Sequence, residues 1–472
     1  MMADLDSERS EPGETGTTGT ALWRAVLAVA WGIALVALAV SFRDALRFPG
    51  SDGRTRIVGA RLLVAGRNPY SIEYQDDPFY SQLLWRRNGP SGVTYDPDLL
   101  LLYAPLARIP YRQQRIAWWG LEWLAMFASV GLIYHRLRTA DGRRIFLVCA
   151  MLLFAASTFW RMHTERGQYY VFALLLLAVA WAILDRPGPS RWLFVLPLAV
   201  VTSIRPTFGV AGIALLGLGW WKPAAAYLLA LVALVGVTLP MVGISGWRDF
   251  LHTSRDVSNG WYDDSYLDQH FGTERIAPLV AEGESFSTEL DVPFVNFNGP
   301  RLLHAALPRL DRGFFGSDFD STTRQSAVAL AGLVTLMGIL TWKYRGRLQD
   351  PTSAMLTVAC FLMFSDFFAP VRISYADILL LLPAGLLMAR CDSDRRNWPG
   401  LALLLLGMLL GCGDWEWLSP RMSGELRPTL ALAGLGLGWL LTLRLSRRQS
   451  SEQHVELPGP SSVEPAVDAP AE

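Results

Sequence analysis

Asp52 is followed at short range by Arg54, Arg56 and Arg61, and the stretch closes with Gly66-Arg67-Asn68-Pro69-Tyr70. A carboxylate can take a proton from an attacking hydroxyl. Guanidinium groups grip phosphate oxygens through paired hydrogen bonds. Together they suit transfer of a group from a phosphate-linked donor to an alcohol. The setting adds to this, because the aspartate comes just after an apolar run and most of the remaining chain is apolar.

That first run, Ala21 to Phe42, is interrupted only by Arg24. At roughly 20 residues it can cross a bilayer. Similar runs lie near 113–134, 144–160, 168–184, 191–204, 206–221, 223–245, 326–342, 352–369, 374–389, 398–418 and 428–444. They predict an all-α polytopic membrane protein with about twelve spans. The chain is 51% hydrophobic with zero formal net charge, so nothing in its charge points to a nucleic-acid partner. The cationic residues are 40 Arg against two Lys, Lys222 and Lys343, so only the positions of the arginines carry information. Cys149, Cys360, Cys391 and Cys412 are scattered, with neither metal spacing nor a disulfide pattern. Residues 1–20 are acidic and rich in Gly and Thr, without the basic start of a signal peptide. They read as a tail before an uncleaved first span, 21–445 as one transmembrane unit, and the Pro-, Glu- and Ser-rich 446–472 as a disordered second tail.

Short connections carrying Arg136, Arg138, Arg143, Arg144, Lys222, Lys343, Arg345, Arg347, Arg390, Arg395, Arg396, Arg444, Arg447 and Arg448 fall on one side. The positive-inside rule makes that side cytoplasmic, together with both termini. The long connections, about 43–112 and 247–325, then lie outside. Connections this long in a compact fold are commonly functional. The first holds Asp52, the arginines and Tyr95-Asp96-Pro97-Asp98; the second holds Trp247, Trp261, Tyr262, Phe294 and Phe297. Shorter outer turns add Gln168 with His163, Glu165 and Arg166, which read as solvated; then Arg205-Pro206; then Asp366, Arg372, Tyr375 and Asp377. Polar groups from distant segments thus gather on one membrane face.

Asp52…Ala60-Arg61…Gly66-Arg67-Asn68-Pro69-Tyr70 resembles the first-loop signature of glycosyltransferase family 87, polyprenyl-phosphomannose-dependent mannosyltransferases of the GT-C fold. Tyr95-Asp96-Pro97-Asp98-Leu99 with Ala104-Pro105-Leu106 resembles the family's Tyr-Pro-Pro stretch and the Ala-Pro-Leu after it. Gly167-Gln168 looks like its Gly-Gln element, and Ile204-Arg205-Pro206 like its Lys-Pro element with Arg for Lys. Trp247-Arg248-Asp249-Phe250-Leu251 and Asn296…Arg301-Leu302-Leu303 sit where the family has similar loop residues. The match is patchy but collinear from about 45 to 390.

The resemblance implies a GT-C-type fold, a polyprenyl-phosphate-linked sugar donor, Asp52 as catalytic base and a cation at Arg205 for the donor phosphate. Arg54 and Arg56 are the other candidates for that phosphate; the alternative is that they are exposed interfacial cations. Gln168, Tyr95, Arg372, Tyr375 and Asp377 are candidates for sugar or acceptor contacts. Two departures bear on specificity. Where the family has Ser-Trp-x-His-His, this chain has Ser374-Tyr375-Ala376-Asp377-Ile378, and Asp96 replaces the first Pro of Tyr-Pro-Pro. Those histidines are associated with the acceptor side, so the acceptor and the sugar stay open, with mannose the first choice.

Asp96-Pro97-Asp98 has the form of a metal-binding Asp-x-Asp, but a helix start explains it better: Pro suits the first helical position and acids suit a helix N-terminus. Gly434-Leu435-Gly436-Leu437-Gly438 has no strand before it and reads as small-residue helix packing, not a dinucleotide loop. The resulting expectation is an integral plasma-membrane hexosyltransferase with neither metal nor cofactor. It moves a hexose with inversion from polyprenyl phosphate to an extracytoplasmic glycan or glycolipid. One carboxylate suffices, because phosphate is already a good leaving group. A transporter or flippase for a lipid-linked sugar is the alternative, although no repeated halves are evident. A non-catalytic membrane assembly partner is a third reading, in which Asp52 would be dispensable.

Overall fold

The computed structural model describes residues 16–47, 50–70, 93, 95–155, 157–260, 319–369, 374–410 and 427–452. Every regular element among them is helical. In chain order the α-helices are α1 (Gly16–Arg47), α2 (Ser51–Val64), α3 (Pro97–Tyr103), α4 (Tyr111–Tyr134), α5 (Ala140–Ala155), α6 (Thr158–Arg166), α7 (Tyr170–Leu184) and α8 (Val195–Ile204). They continue with α9 (Ala211–Gly217), α10 (Trp221–Gly260), α11 (Phe319–Tyr344), α12 (Pro351–Phe367), α13 (Leu381–Ser393), α14 (Trp398–Leu409) and α15 (Arg427–Glu452). The apolar runs read from the sequence fall mostly on helical residues, and the end of the run near 398–418 lies outside the described residues. α1 begins at Gly16 and α15 runs to Glu452, so helix covers part of each segment expected to be a tail.

Among the described residues four helices are long and apolar enough to span a bilayer: Ala21–Arg47, Tyr111–Tyr134, Trp221–Ser254 and Ala327–Arg347. A fifth arises if α6 and α7, bent by 111° across a short break, count as one crossing. Five shorter apolar helical stretches accompany them, among them Pro189–Ile204 and Pro351–Phe367. α10 carries Pro240 and is broken at Gly243, where φ is 68° and ψ 178°, so its last part turns away as a separate segment. Leu35 and Val36 on α1 and Leu228, Leu229 and Val232 on α10 stay more than half exposed, an apolar mantle suited to lipid.

Among its described residues, the connection expected to be an outer loop near 43–112 holds the α-helices α2 and α3. α2 starts at Gly50, whose φ of 68° is open to a residue without Cβ. Asp52 falls in the first helical turn, where a negative charge favours the helix dipole. A turn at Asp52-Gly53, the ordinary reading of that dipeptide, is therefore replaced by helix. α3 starts as the sequence predicts: Asp96 caps it, accepting from Leu99 N at 2.7 Å, and Pro97 stands at its first position. The two helices pack closely because Gly59 lacks a side chain; a Cβ there would lie 2.7 Å from Leu100 Cδ2 and 2.9 Å from Val93 Cγ1. The far end of α2 is tied to the α10 extension by Asn68 Nδ2 donating to Asp249 Oδ2 at 2.6 Å and by the Tyr70–Phe250 rings, 5.7 Å apart.

α14 and α15 meet backbone to backbone. A Cβ on Gly400 would lie 2.5 Å from Gly438 N, and one on Gly434 would lie 2.7 Å from Gly400 O. The glycine-rich stretch is thus helix packing, as its composition predicts. Of the second long connection, Trp247 lies on the α10 extension, while Trp261, Tyr262, Phe294 and Phe297 lie outside the described residues.

Candidate functional site

α6 ends in a Schellman turn. Gly167 takes φ 67°, Gln168 N donates to His163 O at 3.0 Å, and Gly167 N donates to Thr164 O at 3.3 Å. The chain then reverses into α7, leaving the Gly167-Gln168 carbonyls and the Gln168 side chain facing α2 and α4. Arg115 Nη2 on α4 donates to Thr164 O and Glu165 O at 3.0 and 2.8 Å, placing a cation at the negative end of α6. Trp118 Nε1 donates to Gln168 O at 3.1 Å. Gly53 on α2 lies against the bend, where a Cβ would make ordinary contact with Arg166 O at 3.4 Å.

Against this bend the residues of α2 form one constellation. Arg56 Nη1 donates to Gly167 O at 2.8 Å and Nη2 to Gln168 Oε1 at 2.6 Å. Gln168 Nε2 in turn donates to Asp52 Oδ2. A single buried amide therefore joins the carboxylate to the guanidinium. Arg56 is 1% exposed and its charge is faced by aromatic rings, with Tyr95 4.2 Å and Tyr169 5.0 Å from Cζ to centroid. Such rings offer a cation a negative face in place of water. Burial pushes the Tyr95 hydroxyl up, so that it stays protonated. Arg54, also 1% exposed, is lowered to about 10 by burial and stays cationic at neutral pH; its Nε and Nη2 have no hydrogen-bond partner among the described residues. The alternative of exposed interfacial cations does not hold for either arginine. A small cleft of about 10 Å³ is lined by Gly53, Tyr103, Tyr111, Arg115, Trp118 and Gly167 among others.

Arg205 lies one step away. The following Pro206 disfavours helix at this position, and Arg205 ends α8 with φ −142° and ψ 85°. Its Nε and Nη2 donate to Asp366 Oδ1 at 2.9 and 2.6 Å, an ion pair the sequence did not predict. Its Cζ sits 5.3 Å from the Tyr170 ring, which stacks on Tyr169 at 4.6 Å. Arg56 and Arg205 thus flank one two-tyrosine stack. Asp377 is buried at 3% exposure in the 3-10 helix Ser374–Leu380, packed against α6 and α7. Of Tyr375 only the backbone is described, in that same helix, and Arg372 lies outside the described residues.

Asp52, Arg54, Arg56, Tyr95 and Gln168 are therefore brought together, with Arg205 at the edge. One expectation is overturned. His163, Glu165 and Arg166, read as solvated turn residues, are 0%, 2% and 4% exposed, because the bend folds their turn into the bundle. Arg115, Trp118 and Glu122 were missed. The signal was present, since Arg115 and Glu122 interrupt an apolar run and an ionisable residue in a span is a site candidate by default. Among the described residues no group of three His, Cys, Asp or Glu side chains is arranged to hold a metal ion.

Residues 94–282 match the sequence model of Glycosyltransferase family 87, a stretch that includes Tyr95, Gln168 and Arg205 and begins after Asp52. Two curated relatives carry the name polyprenol-phosphate-mannose-dependent alpha-(1-2)-phosphatidylinositol pentamannoside mannosyltransferase. The one from Mycobacterium tuberculosis is 27% identical over 159 residues, 33% of this chain and 35% of the relative. The one from Mycolicibacterium smegmatis is 23% identical over 329 residues, 68% of each chain. The chain thus spans about a third of the first relative's length and about two thirds of the second's. No solved structure gives a significant match. The motifs, the matched region and these relatives agree: over residues 94–282 the chain is similar to glycosyltransferase family 87.

Proposed function

We propose that this protein is a polyprenyl-phosphate-sugar-dependent hexosyltransferase of the plasma membrane, with mannose as the sugar and an extracytoplasmic glycan or glycolipid as acceptor. Asp52 takes the proton of the acceptor hydroxyl. The hydroxyl oxygen attacks the anomeric carbon as the bond to the phosphate oxygen breaks, and polyprenyl phosphate leaves. One displacement from the opposite face inverts the configuration. Arg54, Arg56 and Arg205 supply positive charge for the phosphate as it takes up the bonding electrons. Gln168 holds Asp52 in register, and Tyr95 and Asp377 border the sugar and acceptor space with Arg372 and Tyr375. Both termini lie in the cytoplasm.

The observation that carries this reading is the Asp52–Gln168–Arg56 constellation, a general base and a fixed cation joined through one amide. The relatives' names supply the donor class. The test is turnover of labelled polyprenyl-phosphate mannose in lipid nanodiscs with a host lipid and glycan extract, comparing wild type with Asp52→Asn at equal folded yield. Loss of about 10²- to 10⁴-fold in the variant is the expected result for removing a general base. Equal rates would remove Asp52 from the chemistry, and no turnover by either protein would remove the donor.

A further inference from the structure

We infer that His163 is a positioning residue that clamps the α6–α7 bend and thereby fixes Gln168 against Asp52 and Arg56. The inference rests on the functional reading above. His163 is fully buried and holds both sides of the bend. Its carbonyl accepts from Gln168 N at 3.0 Å. Its Nε2 accepts from Val171 N at 3.2 Å, one of the first-turn N–H groups of α7 that has no partner within the helix. An accepting imidazole nitrogen carries no proton, so the neutral ring keeps its proton on Nδ1. That nitrogen lies 3.3 Å from Glu122 Oε1 on α4. Trp160 stacks on the ring at 5.2 Å with planes 13° apart, which fixes its orientation.

One residue thus links the last turn of α6 and the first turn of α7 and lies against the middle of α4, with Gln168 at the centre of the bend. Without the acceptor at Nε2, α7 can shift against α6, and the Gln168 amide loses its alignment with both charged partners. Small displacements of a reacting group have large kinetic effects.

The experiment compares His163→Phe, which keeps a flat stacking ring without an acceptor, with His163→Gln, whose amide oxygen reaches about as far as Nε2. His163→Phe is expected to lower kcat by about tenfold to a hundredfold, the scale of a misplaced group, with donor KM within about twofold. His163→Gln should recover most of that loss. In a Gln168→Ala background His163→Phe should cost little more, since the two act as a unit. Hydrogen–deuterium exchange over residues 167–172 gives a readout free of turnover: faster in His163→Phe and wild-type in His163→Gln. Additive losses with Gln168→Ala, unchanged exchange in His163→Phe, or a His163→Gln no better than His163→Phe would each overturn the clamp. If wild type turns over no polyprenyl-phosphate mannose, the transferase reading fails and the exchange data alone decide the clamp.

Discussion

The α14–α15 seam and the α6–α7 bend are both close helix contacts, made by opposite means. At the seam, Gly400 and Gly434 lack side chains so that the backbones touch, and Gly438 leaves room for Leu387 of α13. At the bend, Arg56, Arg115, Trp118 and His163 bring polar side chains to backbone groups that the turn leaves free. Lipid gives no hydrophobic drive for one helix to meet another, so dispersion and hydrogen bonds must do it. The seam uses the first and the bend the second. The seam therefore serves stability alone. The bend gathers charged groups that cost free energy to bury unless they are paired, an arrangement expected where chemistry is done.

Three substitutions test that division. Gly434→Leu should be the most damaging, because its side chain would enter the backbone of α14; a loss of about 3 kcal/mol or more, seen as loss of folded protein on size exclusion, is expected. Near-normal yield of Gly434→Leu would mean that the seam is looser than described. Arg56→Lys should do the reverse, keeping yield but lowering kcat/KM roughly 10²-fold, since an ammonium cannot serve Gly167 O and Gln168 Oε1 in one plane while stacking on Tyr95. Wild-type turnover in Arg56→Lys would show that the planar fork is dispensable. Gly59→Ala lies between the two kinds of contact, with Leu100 and Val93 side chains in the way. A thermal shift equivalent to about 1–2 kcal/mol, with kcat intact, would class α2–α3 with the seam.

The smallest effect concerns pH. Burial raises the Asp96 carboxyl to about 7. The folded protein then binds a proton that the unfolded chain releases near pH 4, so this residue's stabilising effect falls as pH rises from about 4 to 7. Asp96→Asn keeps a capping oxygen and should flatten that part of the pH–stability curve. An unchanged slope between pH 5 and 8 in detergent melts would assign the pH dependence elsewhere.

Much of this was legible in the sequence. Apolar runs located the helices because in a membrane the backbone must satisfy itself within each segment. Asp96-Pro97 announced a helix start through local chemistry alone. Asp52, Arg56 and Gln168 stood out as polar residues bordering apolar runs, and the structure joins them. What local reading could not supply were the partners: Asp366 for Arg205, and Arg115 for the α6 carbonyls, come from helices far along the chain. His163, Glu165 and Arg166 look solvated in isolation, and only the 111° bend shows that their turn is folded inward. Of the first long connection, α2 was hidden because it carries as much charge as a loop does.

The tie between Asn68 and Asp249 has a consequence for biogenesis. The two residues are 181 positions apart. A ribosome must therefore deliver the whole of α3 to α9 and most of α10 into the membrane before the end of α2 meets its partner. Arg205 likewise waits for Asp366, 161 positions later. The Arg205–Asp366 edge of the proposed site is completed late in synthesis, and a chain ended after α8 would lack that edge while still holding Asp52, Arg56 and Gln168.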